Sequence, residues 1–328
     1  MMKAPDNLTD AQIALWDSLT TRILTLNERI WEHSVNGELV QAWLANFDGK
    51  TGIEPAVERL HSLYLLSQFM YFGIREVRVL LKSMYRELFL LPLVGELKER
   101  AADLSEFKAL LKRELEVTKF LGVGNPSESG VHLLYYFRQE NQLSKDVFVD
   151  AARLYRTEES NGIRKRVPRF ENVERYIFLD DLCGSGQTAI DYSQDFLPDL
   201  LAVNPNIKVS YLSLFATSEG LNRVRNETVF GENCGAVYEL DETYKWTDLS
   251  SRYHFELPAE ISRPVLDLVA ETYGTYLQPY YPFGYHASGL LLGFAHNTPD
   301  NTLPVIWMES LHDSAINWYP IFKRYPKA

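Results

Sequence analysis

The stretch whose reading decides the fold is Tyr176-Ile177-Phe178-Leu179-Asp180-Asp181-Leu182-Cys183-Gly184-Ser185-Gly186-Gln187-Thr188. An apolar run reads as a buried strand, two adjacent carboxylates close it, a small Gly-flanked loop follows, and a helix is predicted from Thr188 to Leu201. Open α/β sheets bind ligands at the carboxyl ends of their strands. A Gly-Ser-Gly turn into a helix exposes backbone N–H groups and sets the positive end of the helix beside them. Ser185 and Thr188 add hydroxyl donors. Together, Gly184, Ser185, Gly186, Gln187 and Thr188 suit a phosphate monoester. Carboxylates next to such a nest repel phosphate, but they accept hydrogen bonds from ribose hydroxyls or hold Mg2+ through water. The pattern therefore predicts a ribose 5-phosphate moiety with its diol on Asp180 and Asp181.

Working outward, Val209 to Phe215 reads as a second buried strand and Val237 to Leu240 as a third. Strand, loop, helix and strand in that order are the grammar of a parallel α/β sheet. For Val131 to Phe137, periodicity does not choose between helix and strand. Pro264 to Leu277 is a predicted helix, and Leu290 to Phe294 and Val305 to Trp307 are predicted late strands. The first third reads as helix. Thr9 and Gln12 fit a capping box, and Trp16, Leu19, Ile23, Leu26 and Ile30 fall on one helical face. Further helices are predicted over Glu38–Phe47, from Pro55 towards Leu91, and over Leu104–Lys119. The expected organisation is an all-α N-terminal domain over residues 1–118 and an α/β domain over 119–328.

Composition narrows the function classes. The chain has 328 residues with 33 Lys and Arg against 44 Asp and Glu, a net charge of −11. That argues against a nucleic-acid coat, which needs a basic face. A 46% hydrophobic content excludes a disordered chain. Cys183 and Cys234 make no disulfide framework, which suits a reducing compartment. The N-terminus has no apolar signal core, and the longest uncharged apolar stretch, about residues 60–74, is too short to span a bilayer. The expectation is a soluble, cytoplasmic protein with no membrane partner.

The segment from Tyr176 to Thr188 resembles the 5-phosphoribosyl-1-pyrophosphate (PRPP) signature of type I phosphoribosyltransferases: a hydrophobic strand, two acids, apolar and small loop residues, then Thr. Asp180, Asp181, Leu182, Ser185, Gly186 and Thr188 fit it. Cys183 and Gly184 depart from its usual apolar and small-hydroxyl pair, which bears on turnover more than on binding. The resemblance implies a parallel-sheet core that binds PRPP or a related nucleotide with Mg2+ and acts at the anomeric carbon of the ribose. It also implies a pyrophosphate loop after an earlier core strand, and Gly122 to Gly130 matches by position. Ser127, Ser129 and Gly130 offer donors there, while Glu128 opposes pyrophosphate. A helix-capping loop explains the same residues.

Arg153 to Arg169 holds six basic residues against two acids, a local charge of +4 in an acidic chain. Asn161-Gly162 in its middle is a hairpin-turn signal. Type I members carry a mobile flap in this place, and the matching residues are Arg164, Lys165 and Arg166. Basic groups there would stabilise the departing pyrophosphate. A docking surface for nucleic acid or a protein partner, or a plain solvated hairpin, would look the same.

The stretch from His296 to Trp307, with its Asn-Thr-Pro-Asp-Asn-Thr run, is similar to that of one branch, the PRTase-CE family of bacterial conflict systems. That resemblance implies an effector in antiphage defence, in some cases partnered with a retron reverse transcriptase and its RNA–DNA. On this reading Asn297, Asn301 and Trp307 would line the base side of the pocket. Asn and Thr before Pro also build turns, and such a Trp is often core.

Other constellations carry less. The seven His residues show no metal-ligand spacing, and Gly184 to Thr188 lacks the Lys of a Walker A loop. Tyr273, Tyr276, Tyr280, Tyr281 and Tyr285 form an aromatic cluster that suits packing or an interface better than base stacking. Three functions stay open at this point: an enzyme at the anomeric carbon, a catalytically silent nucleotide sensor that docks a partner through its helical third, and a scaffold gripping a reverse transcriptase or RNA–DNA through the basic hairpin. A homo-oligomer is compatible with each.

Overall fold

The computed structural model describes residues 2–124, 129–160, 163–309 and 317–325, with side chains for all of these except 129–132, 152, 160, 163, 165 and 166. Helix α1 (Asp10–Arg29) starts at the expected capping box: Gln12 N–H donates to Thr9 Oγ1 and Thr9 N–H to Gln12 Oε1. It buries Trp16, Leu19 and Ile23. Helix α2 (Gly37–Ala45) is capped by Asn36, whose side chain accepts from Leu39 N–H at 2.8 Å. Helix α3 (Pro55–Ser67) begins on its Pro, where the missing N–H costs nothing. Strand β1 (Met70–Phe72) interrupts the long helix expected from Pro55 onwards. Helix α4 (Ile74–Ser83) runs through a π-helical stretch, Met84–Leu90, into α5 (Leu91–Arg100). Pro92 has no N–H to give this part of the helix.

Helix α6 (Leu104–Glu116) is capped by Asp103. Then come strand β2 (Thr118–Gly122), helix α7 (Ser129–Glu140), and strands β3 (Tyr155–Ser160) and β4 (Ile163–Pro168). The chain continues with strand β5 (Arg175–Cys183), helix α8 (Gln187–Val203), strand β6 (Lys208–Thr217), helix α9 (Ser218–Glu227) and strand β7 (Cys234–Leu240). Helix α10 (Arg263–Leu277), strand β8 (Leu292–Phe294) and helix α11 (Pro304–Trp307) complete it. Residues 305–307, expected as strand, are helix because Pro304 takes the first helical position and Met308 N–H closes the turn on its carbonyl. Residues 131–137, undecided from periodicity, are helix within α7.

Two compact units result: Met1–Arg75 with Asp241–Ala328, and Glu76–Leu240. This division differs from the boundary expected between residues 118 and 119. In the first unit the C-terminal part completes the core of the N-terminal helices. Strand β1 pairs in parallel with β8, Met70 opposite Leu292. Trp43 Nε1 donates to Val305 O at 2.7 Å. Buried Glu58 accepts from Tyr273 Oη at 2.6 Å and from Gly49 N–H at 2.7 Å. The partners Trp43 and Val305, and Glu58 and Tyr273, lie more than two hundred positions apart, so composition along the chain does not reveal the junction.

The second unit is built on a four-stranded parallel sheet in the order β2-β5-β6-β7. Phe120 sits opposite Ile177, Phe178 opposite Tyr211, and Leu212 opposite Gly235. Phe178 meets Tyr192 of α8 and Phe230 edge-on, which fixes α8 over the sheet. On Phe120 pack Phe89 of the π-helical stretch and Phe137 of α7. Strands β3 and β4 form a separate antiparallel hairpin. The parallel sheet with helices before it is the α/β core expected from the sequence. Among the described residues no helix is long and apolar enough to cross a membrane.

Candidate functional site

Strand β5 carries Asp180 and Asp181 to its C-terminal end, and the turn into α8 follows as the sequence predicts. Gly186 caps α8 with φ +74°, a left-handed conformation that glycine adopts without penalty. The first helical N–H groups, those of Gln187, Thr188 and Ala189, have no carbonyl within the helix to bind. Gln187 N–H donates to Ser185 Oγ at 3.4 Å. Thr188 is exposed and Ser185 half-buried.

The back of this loop is clamped by residues that sequence reasoning missed. Thr217 Oγ1 donates to Gly184 O at 2.6 Å and accepts from Gly220 N–H at 2.9 Å, so it caps α9 and holds the loop with one hydroxyl. Arg223 Nη1 donates to Ser185 O at 2.7 Å and its Nη2 to Gln187 Oε1 at 3.2 Å, while Glu227 braces the guanidinium. Two loop carbonyls are thereby turned towards α9, and a cation lies beside the loop. Gly220 permits the approach: a Cβ there would fall 2.1 Å from Gly184 O. The Thr217-Ser218-Glu219-Gly220 sequence announces a helix start, but only the β5–β6 register brings that start to Gly184.

The two acids sit differently. Asp180 is buried; its Oδ2 accepts from Tyr211 Oη at 2.8 Å and its Oδ1 from Asp181 N–H at 2.9 Å. Burial, with the Asp181 charge beside it, pushes the Asp180 carboxyl well above the ordinary carboxylate range. Asp181 is half-buried, and its Oδ1 accepts from Leu182 N–H at 2.9 Å. Burial pushes the Cys183 thiol up to about 12, away from the thiolate form a nucleophile needs. Among the described residues no three His, Cys, Asp or Glu side chains gather around a metal position.

The basic segment forms the expected hairpin. Ser160 pairs with Ile163. Its root is anchored where Tyr155 Oη donates to Phe196 O of α8. Arg164 pairs with Glu159 at 3.2 Å and is largely exposed. Lys165 and Arg166 lie on β4 opposite Glu158 and Thr157, and their side chains are outside the described residues. In the expected pyrophosphate loop, Ser127 lies outside the described residues, while Ser129 and Gly130 open α7.

Asn297, Asn301 and Trp307 belong to the other unit. Asn297 Oδ1 accepts from the N–H groups of Thr298 and Tyr325. Asn301 Nδ2 donates to Ser288 Oγ at 2.9 Å, and Trp307 Nε1 to Thr302 O at 2.8 Å. These bonds build the loop itself, and the expectation that the three line a base pocket finds no support in them.

The PRTase-CE family model matches residues 40–324. In structure the chain is similar to xanthine-guanine-hypoxanthine phosphoribosyltransferase of Helicobacter pylori (14% identity, 41% of this chain and 82% of that one, TM-score 0.22). It is similar also to orotate phosphoribosyltransferase of Aeropyrum pernix (16%, 42% and 73%, 0.23) and adenine phosphoribosyl transferase of Trypanosoma brucei (17%, 52% and 78%, 0.25). No curated protein matches it in sequence.

Proposed function

The chain belongs to the PRTase-CE family and is phosphoribosyltransferase-like, and on that premise we propose that its strand-end loop binds the ribose 5-phosphate part of PRPP or of a related nucleotide. One observation carries this reading. The loop carbonyls of Gly184 and Ser185 are tied back to Thr217 and Arg223, while the first N–H groups of α8 stay at the open start of the helix. That is an anion site with a carboxylate one step away for the ribose hydroxyls.

A half-buried Asp181 beside a phosphate nest fits a Mg2+ that arrives on the ligand and keeps its waters. When bound, such an ion neutralises phosphate charge. The chain's own contribution would be to orient the sugar through Asp181, hold the 5-phosphate at 184–188, and bring Arg164, Lys165 and Arg166 over the pyrophosphate. In displacement, a nucleophile's electron pair would form the new bond at the anomeric carbon as the bond to pyrophosphate breaks.

The inward turn of Asp180 favours a second reading, a nucleotide sensor that binds without turnover. The conflict-system setting, as antiphage effector or as a subunit docking a retron reverse transcriptase, rests on the sequence resemblance alone. Calorimetric titration with PRPP–Mg2+ tests the binding. Wild type should bind, and Asp180→Asn combined with Asp181→Asn should not; equal affinity for both proteins sinks the proposal. Mass spectrometry of released pyrophosphate separates enzyme from sensor. Phage plating on cells carrying each form tests the setting.

A further inference from the structure

Adjacent carboxylates on one strand invite the assumption that both serve the ligand. Their surroundings differ here. Asp180 is 8% exposed, and each of its oxygens already accepts a hydrogen bond from the protein, one from Tyr211 Oη and one from Asp181 N–H. Tyr211 comes from the neighbouring strand β6 and is 1% exposed. Its ring packs against Phe230 with centroids 5.7 Å apart. Its hydroxyl also meets the Cys183 thiol. A buried phenol fixed by packing and by two neighbours on β5 cannot follow a mobile partner, so it sets where the Asp180 carboxyl lies.

We propose that Tyr211 is a positioning residue of this site: its hydroxyl holds Asp180 inward, and Asp181 is the carboxylate that meets the ribose hydroxyls. The inference rests on the ribose-phosphate reading above and divides the work within it. Asp180 then shapes the strand end, because its Oδ1 fixes the Asp181 backbone N–H and with it the direction in which the second acid leaves the sheet. The groups facing Asp180 are Asp181 and Cys183 on its own strand and Tyr211 on β6. Burial and the Asp181 charge raise the Asp180 carboxyl above the ordinary carboxylate range, which adds to the difference between the two acids.

The test is titration of the full chain with ribose 5-phosphate and with PRPP–Mg2+, using single variants. Asp181→Asn should weaken binding by about tenfold or more, the loss expected for a hydrogen bond to a charged group. Asp180→Asn, whose amide oxygen still accepts from Asp181 N–H while its Nδ2 turns to donate to Tyr211 Oη, should stay within about threefold of wild type. Tyr211→Phe should weaken binding, and adding Asp180→Asn to it should restore part of the loss, because a neutral amide no longer needs the phenol. Carbon NMR of the carboxyl groups adds a readout that a mere loss of packing does not give: Tyr211→Phe should move the Asp180 titration further up. Wild-type binding with equal losses for Asp180→Asn and Asp181→Asn would overturn the inference alone, as would a Tyr211→Phe variant with unchanged affinity and unchanged titration. No binding by wild type would take down the ribose-phosphate reading, and this inference with it.

Discussion

Residues 184–188 and residues 297–302 are both short polar runs that follow an apolar strand, and they use their hydrogen-bonding groups in opposite directions. In the first, the acceptors are engaged behind the loop by Thr217 and Arg223, and the first N–H groups of α8 remain at the helix start. In the second, the side chains close on their own unit: Asn297 on Thr298 and Tyr325, Asn301 on Ser288, and Thr302 Oγ1 on Leu292 O at 2.6 Å. A polar run therefore says little about binding. Donors held in place at the start of a helix say more, and they arise where a second element fixes the back of the loop.

The sharpest way to break this contrast is Gly220→Ala. Its Cβ would fall 2.1 Å from Gly184 O and 2.9 Å from Cys183 O, and both contacts are backbone. Either α9 or the loop must move, and the expected loss is about 3 kcal/mol in denaturant unfolding, with ligand binding abolished. Wild-type stability and affinity in this variant would show that α9 does not set the loop.

Asn301→Ala is the matched change in the other stretch. It removes the amide that donates to Ser288 Oγ, whose own hydroxyl still donates to Tyr285 O, and should cost about 1 kcal/mol. Affinity for PRPP or ribose 5-phosphate should stay at the wild-type value. A loss of affinity with intact folding would place this stretch at the ligand.

A third effect is a pH dependence that belongs to the first region alone. The folded Asp180 carboxyl lies above its ordinary value of 3.8, so the native state binds the proton more tightly than the unfolded chain. Its contribution to stability is fully present below about pH 4 and is lost as the pH rises through the folded value. The stability difference between wild type and Asp180→Asn, followed by thermal unfolding from acid to neutral pH, should shift against wild type as the pH rises. A flat difference would mean that Asp180 is not held in a desolvated setting.

What could be read beforehand was local. The capping box at Thr9 needs only residues three apart, the hairpin needs only Asn161-Gly162 between strand-forming runs, and β5 with its loop is one continuous signal. Illegible features depend on register or on distant partners. Tyr211 looks like any aromatic in an apolar strand until the pairing of β5 with β6 sets it beside Asp180. Arg223 looks like a solvated helix residue until α9 is packed behind the loop. The pairing of β1 with β8 joins residues more than two hundred positions apart, which is why the helical third was expected to stand alone. Val305 to Trp307 read as strand because three apolar residues fit either state, and Pro304 decided for helix.

The smallest effect on stability separates the hairpin from both loops. Arg164 and Glu159 form an ion pair at 3.2 Å, and their side chains are 78% and 59% exposed. Solvent screens such a pair, so Arg164→Glu should change unfolding stability by no more than about 1 kcal/mol. Its effect on function should be larger, because the substitution reverses a charge on the one strongly basic segment of the chain. A hairpin that closes over pyrophosphate predicts weaker PRPP binding with ribose 5-phosphate affinity unchanged, since only PRPP carries the second anionic group. If the hairpin instead docks a polyanionic partner, both small-ligand affinities hold and salt-sensitive association falls. Should ribose 5-phosphate and PRPP affinities fall together, the hairpin would act on the loop that grips the shared phosphate, and the division between a clamped nest and a separate basic arm would fail.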